Sequence, residues 1–140
     1  MHEQIYVNLP VKDLPRSIEF FTRLGYSFDE RFTNENATCM IVGRNMAVML
    51  LAEPFFKVFI GEKAISDAHA SAEVLVCLSC ASREEVDTLV AKAQEAGGRI
   101  PRPPQDHGFM YGHAFEDLDG HIWELMHMAH LSEQPPPAAA

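Results

Sequence analysis

One order of elements occurs twice in this chain, and it restricts the fold more than any other feature. In each half a strand leads to a helix, and the helix leads to three short strands. Residues 5–11 alternate: Ile5, Val7, Leu9 and Val11 share one face, and Tyr6, Asn8 and Pro10 share the other, the pattern of a half-buried strand. Pro10 has no N–H to donate and suits a strand end. Asp13 then caps a helix that tolerates Pro15 in its first turn. Leu14, Ile18, Phe21 and Leu24, with Phe20 beside them, form its apolar stripe, and Gly25 stops it. Strands are expected over 26–32, 37–42 and 46–52, joined by turn-forming residues at 33–36 and 43–45.

A linker over 53–72 separates the halves. Pro54 opens an apolar helical turn through Phe55, Phe56, Val58 and Phe59, and a short polar helix is expected over 62–70. The order then begins again. Residues 73–81 are apolar on both faces and are expected to lie inside a sheet. Ser82 and Glu85 have the spacing of a capping box; Val86, Leu89, Val90 and Ala93 form the stripe; Gly97 and Gly98 end the helix. Pro101, Pro103 and Pro104 allow residues 99–106 at best an edge strand. Two strands, 109–116 and 122–128, close the second half around a tight turn. Module one therefore covers about 5–52, module two about 73–128, and the single α+β domain 3–128. Residues 131–140, rich in proline and alanine, read as a disordered tail.

The turn between the last strands is Asp117-Leu118-Asp119-Gly120, where Gly120 is free to take positive φ. Beyond it, alternation sends Trp123 and Leu125 to the core and Ile122, Glu124 and Met126 to the other face. A carboxylate alone among apolar neighbours is costly unless it meets water, a partner or a metal. Glu124 is therefore the most informative side chain in the sequence.

This stretch, Asp117-Leu118-Asp119-Gly120-His121-Ile122-Trp123-Glu124, resembles the closing hairpin of the vicinal oxygen chelate superfamily: glyoxalase I, bleomycin resistance proteins, fosfomycin-resistance enzymes and extradiol dioxygenases. Leu118 stands where those proteins usually have proline, and their equivalent of Glu124 is a metal ligand. The doubled βαβββ order is similar to that superfamily's paired modules. The resemblance implies a half-open cup with the ligand site inside, and a homodimer. It implies that Tyr6, Asn8, Gly112 and Ala114 face the cup, with Tyr111 and His113 turned away.

A net charge of −9, from 20 acidic and 11 basic residues, repels phosphate backbones and anionic lipid heads, so nucleic-acid and membrane partners are not expected. No apolar run is long enough to span a bilayer. Three cysteines, without an export pattern at the start of the sequence, fit reduced thiols and a cytoplasmic location.

The resemblance also implies where a metal would sit. A ligand histidine is common seven residues before the helix-opening aspartate, but counting back from Asp13 reaches Tyr6. The matching position in module two is near Leu75, and residues 46–51 offer no hard ligand. One carboxylate does not hold a catalytic zinc, which usually needs about three protein ligands. No cofactor is therefore expected, and Glu124 counts as a metal ligand only if a site is rebuilt. The remaining candidate is His107, beside Asp106 on a glycine-flanked loop, which could serve as a general base.

Two functional readings remain. One is a small-molecule binding cup of the bleomycin-resistance type, lacking the usual metal site and suited to a cationic or aromatic guest. The other is a lyase, isomerase or dioxygenase, either with zinc, nickel, manganese or iron or with Glu124 and His107 doing acid–base work. The sequence does not decide whether the chain is an enzyme. A third possibility is a scaffold whose cup is filled by Phe55 and Phe56.

Overall fold

The computed structural model describes residues 1–129. The residues assigned to the tail, 131–140, lie outside them. Module one runs β1 (Ile5–Val11), α1 (Leu14–Leu24), β2 (Ser27–Asp29), β3 (Ala37–Gly43) and β4 (Met46–Ala52). A short helix α2 (Glu53–Lys57) follows. Module two runs β5 (Leu75–Ser79), α3 (Arg83–Glu95), β6 (Gln105–Asp106), β7 (Met110–Glu116) and β8 (Ile122–Met128). The fold is α+β, with two four-stranded mixed sheets ordered β1-β4-β3-β2 and β5-β8-β7-β6. In each module the first strand runs parallel to the last and the other pairs are antiparallel.

The helix boundaries follow their caps. Asp13 accepts a hydrogen bond from Arg16 N at 3.1 Å, and Gly25 ends α1 at φ 105°. Ser82 accepts from Glu85 N at 3.0 Å, and Gly97 likewise takes φ 105° after α3. The Glu85 side chain reaches back to Ala81 N, one residue before the usual capping-box partner. A left-handed φ is inexpensive only without a Cβ, so glycine at both stops is a steric choice.

The two helices and the inward sheet faces share one core. Phe20, Phe21 and Leu24 of α1 and Val86, Val90 and Ala93 of α3 join Leu9, Val48, Phe115, Trp123 and Leu125 in a single buried cluster. Aromatic rings cross between modules: Phe21 lies 5.0 Å from Trp123, and Phe20 lies 6.1 Å from Phe115. The closing turn adds polar ties. Asp119 accepts from Lys12 N at 2.9 Å and Ser17 Oγ at 3.4 Å, and His121 Nε2 donates to Pro10 O at 2.7 Å. The opposite face of each sheet stays open, giving the half-open cup.

Three expectations change. The strand expected over 26–32 is only β2, because Asp29 turns to cap Arg31 N and pairs with its guanidinium at 2.7 Å, winding Glu30–Phe32 into a 3₁₀ turn. The polar helix expected over 62–70 is a run of turns organised by Asp67, whose carboxylate accepts from His69 N and whose carbonyl accepts from Ala70 N and Ser71 N. The strand expected inside a sheet, β5, is an edge, and Leu75 is 55% exposed. Its second apolar face lines the open cup, which hydropathy alone does not distinguish from burial. The proline-rich stretch is an edge as expected: Arg99 makes an isolated bridge with Glu116, and Gln105 and Asp106 form the short edge strand β6.

Candidate functional site

The alternation of β8 places Glu124 on the open face, level with Cys77 of β5 and Ala114 of β7. Gly112 sits one step along, opposite Met126. Tyr111 and His113 point to the helix side, where the Tyr111 hydroxyl donates to Asp87 of α3 at 2.5 Å. Glu124 is not alone: Arg102 Nη2 lies 3.1 Å from its Oε1. The guanidinium comes from the proline-rich segment before β6, and both side chains are half-buried. Sequence reasoning missed this partner. The available signal was an arginine set between Pro101 and Pro103, in a segment leading to a strand that pairs with β7. The Cys77 thiol is pushed above its usual range, chiefly by burial and then by the Glu124 charge beside it.

Tyr6 and Asn8 share the open face of β1, level with Ala47 and Met49 of β4. Tyr6 lines a shallow hollow of about 360 Å³ on module one with Arg31, Phe32, Cys39 and Met49, and its hydroxyl bonds the Gln4 side chain. Asn8 belongs to a different space. A cleft of about 270 Å³ lies where the end of β1 meets the start of β8 beneath the linker. Phe56, Ile60, Val74 and Ile122 line it together with Asn8, Lys63, Glu73 and His121. Phe56 is a wall of this cleft and does not fill it, while Phe55 meets Phe59 edge to face, with ring centroids 5.1 Å apart. Ile122 and Glu124 are two residues apart on one strand face, about 7 Å along β8, so the cleft and the carboxylate are neighbours.

His107 stands elsewhere. It occupies the exposed β6–β7 turn, where its N–H donates to Met110 O at 2.8 Å. Met110 pairs with Met128, four residues along β8 from Glu124, or roughly 13 Å of extended strand. Asp106 serves Arg83 rather than His107: two hydrogen bonds at 2.6 and 2.8 Å join them, and Arg83 lies 5.0 Å over the Tyr111 ring. The Arg83 guanidinium pulls the Asp106 carboxyl down to about 2 from its usual 3.8. A depressed pKa contributes stability above the unfolded value that is lost as pH falls through the folded one. Arg83→Ala is therefore expected to flatten the acid limb of the stability curve between pH 3.8 and about 2, measured by urea denaturation across pH. An unchanged limb would show that the pair is idle in solution.

The resemblance implies ligand positions at Tyr6, within residues 46–51, near Leu75 and at Glu124. Leu75 has no donor atom, the Tyr6 hydroxyl is bonded to Gln4, and Glu124 already faces a cation. This donor set does not fit a divalent ion. Among the described residues no three His, Cys, Asp or Glu side chains gather as a ligand group. No described helix is long and apolar enough to cross a membrane.

Comparison with known proteins gives a consistent picture. The family model described as Glyoxalase/Bleomycin resistance protein/Dioxygenase superfamily matches residues 4–125. Among solved structures, hypothetical protein SA1046 from S. aureus is 29% identical, with a TM-score of 0.75 over 90% of this chain and 94% of that one. A glyoxalase-related enzyme from Fulvimarina pelagi is 19% identical, with a TM-score of 0.76 over 91% and 88%. The fosfomycin resistance protein FosX from Mesorhizobium loti is 16% identical, with a TM-score of 0.65 over 95% and 97%. The last two likenesses are of fold alone. No curated protein matches the sequence.

Proposed function

This chain belongs to the glyoxalase/bleomycin resistance protein/dioxygenase superfamily, and we propose that within it the protein is a small-molecule binding cup that works without the usual metal. The observation that carries the reading is the cleft beside β8: a space of about 270 Å³ with Phe56, Ile60, Val74 and Ile122 as apolar wall and Asn8, Lys63, Glu73 and His121 as polar or charged groups among its lining. Clefts near this size, mostly apolar with a few placed polar groups, suit a small organic guest. Support for a metal-free cup comes from the donor set, in which leucine and a paired carboxylate stand at ligand positions.

The reading includes a cytoplasmic homodimer. Cys39, Cys77 and Cys80 are free thiols, and Ile5, Tyr6 and Leu75 leave apolar surface on the two edge strands. A second copy covering those edges would bury it.

The test has two arms on untagged protein purified without chelator. Thermal-shift screening against small aromatic compounds should give ligand-dependent stabilisation, about 2.7 kcal/mol at a hundredfold excess over Kd. Plasma mass spectrometry should find no stoichiometric metal. Near-stoichiometric zinc, nickel, manganese or iron, with turnover that depends on it, would move the chain to the lyase, isomerase or dioxygenase class.

A further inference from the structure

The open face of module two bears a carboxylate whose charge is already answered and a guanidinium that is not fully used. Arg102 Nη2 lies 3.1 Å from Glu124 Oε1. Its Nη1 is enclosed and has no hydrogen-bond acceptor among the described residues. A guanidinium offers five N–H donors, Glu124 engages it at Nη2, and the side chain is 31% exposed on the open face, so donors remain for a further oxyanion. The open-face positions around Glu124 are Cys77, Gly112, Ala114 and Met126, none of which carries a charged side chain.

The backbone holds Arg102 in place. On one side Arg99 and Glu116 exchange two backbone hydrogen bonds, at 3.0 and 2.7 Å. On the other, Gln105 pairs with Gly112. Between these anchors Pro101, Pro103 and Pro104 restrict the chain. The guanidinium is thus strapped across the open face before any guest arrives, which lowers the ordering cost of binding.

We infer that Arg102 is the specificity-determining residue of this cup and that it selects guests bearing a carboxylate or similar oxyanion. The inference deepens the binding-cup reading and rests on it. A carboxylate matches the planar fork of a guanidinium, and Lys would not replace it equally. A cationic guest would have to displace Arg102 from Glu124 and leave one of the two charges unpaired. The overall negative charge of the protein disfavours anions at long range, but at about 0.15 M salt that field fades within roughly 8 Å.

The experiment titrates benzoate and, separately, benzylammonium into isotope-labelled protein and follows backbone amide shifts. Benzoate is expected to move the amides of Gly112, Ala114 and Glu124. Arg102→Gln should weaken it roughly ten- to a hundredfold, with Arg102→Lys intermediate, and Glu124→Gln, which removes the competing carboxylate charge, should tighten it. Stronger binding of benzylammonium on this face, or loss of benzoate binding in Glu124→Gln, would overturn the assignment. So would shifts confined to Asn8, Ile60 and Ile122; in that case the binding cup stands and the role of Arg102 falls. Absence of response at both places, with no hit in thermal-shift screening, would remove both.

Discussion

A Trp123→Ala variant is expected to lose about 3–5 kcal/mol of folding stability, measured by urea denaturation at neutral pH. Trp123 is fully buried where the modules meet. Its ring lies 6.2 Å from Phe115 at an interplanar angle of 5°, and 5.0 Å from Phe21 of the other module. Its indole N–H donates to Asp117 Oδ2 at 3.0 Å. Truncation would empty the centre of the shared core and strip a buried carboxylate of a donor. Trp123→Phe separates the two effects, since it keeps a ring and removes the N–H, at an expected cost of about 1–3 kcal/mol.

That smaller loss should depend on pH. Burial raises the Asp117 carboxyl above its usual value, and the charge of His121 and the Trp123 hydrogen bond pull it back in part. A raised carboxyl favours folding while protonated, and that contribution is lost as pH climbs from the unfolded value of 3.8 through the folded one. Without the indole donor the charged form is worse still. The Trp123→Phe deficit should therefore be larger at neutral pH than in acid. A deficit below about 1 kcal/mol for Trp123→Ala would mean that the modules do not share one core.

Gly120→Ala is expected to cost about 2–5 kcal/mol and to abolish the response of the cleft to its ligands. Gly120 takes φ 89°, where a Cβ is strained. The added carbon would also stand 2.8 Å from the backbone carbon of Ala68 and 2.8 Å from His69 N. Those atoms belong to the linker that roofs the cleft, and Ala68 and Gly120 both line it. Relief requires the linker to move outward. Gly61→Ala is the control, since Gly61 has φ 63° but open space around its Cβ position. It should show only the left-handed penalty, about 1–2 kcal/mol, and keep ligand binding. Equal losses in the two variants would show that contact with the linker does not matter.

The helices were legible because their signals are local. Asp13, Ser82, Gly25 and Gly97 act within one turn of chain, and each behaves as its residue type dictates. Strand facing was legible for the same reason: alternation put Trp123 and Leu125 inside and Glu124 on the open face. The linker was misread over 62–70, because its turns are set by Asp67 and the packing of His69 against Gly120. The low polarity of residues 75–79 suggested an interior strand and could not report that one face lines an open cup.

The sequence by itself determined the doubled βαβββ order, the helix caps, the core stripes and the outward facing of Glu124, since each depends on neighbours within a few residues. Only the tertiary structure decided what Glu124 faces. Arg102 is 22 residues earlier, on a segment without regular structure until Gln105, and no periodicity links the two. The cleft is likewise a product of assembly, because β1, the linker and β8 each supply one wall. A charge partner and a cavity are relations between distant segments. They exist only once burial of the shared core has brought those segments together.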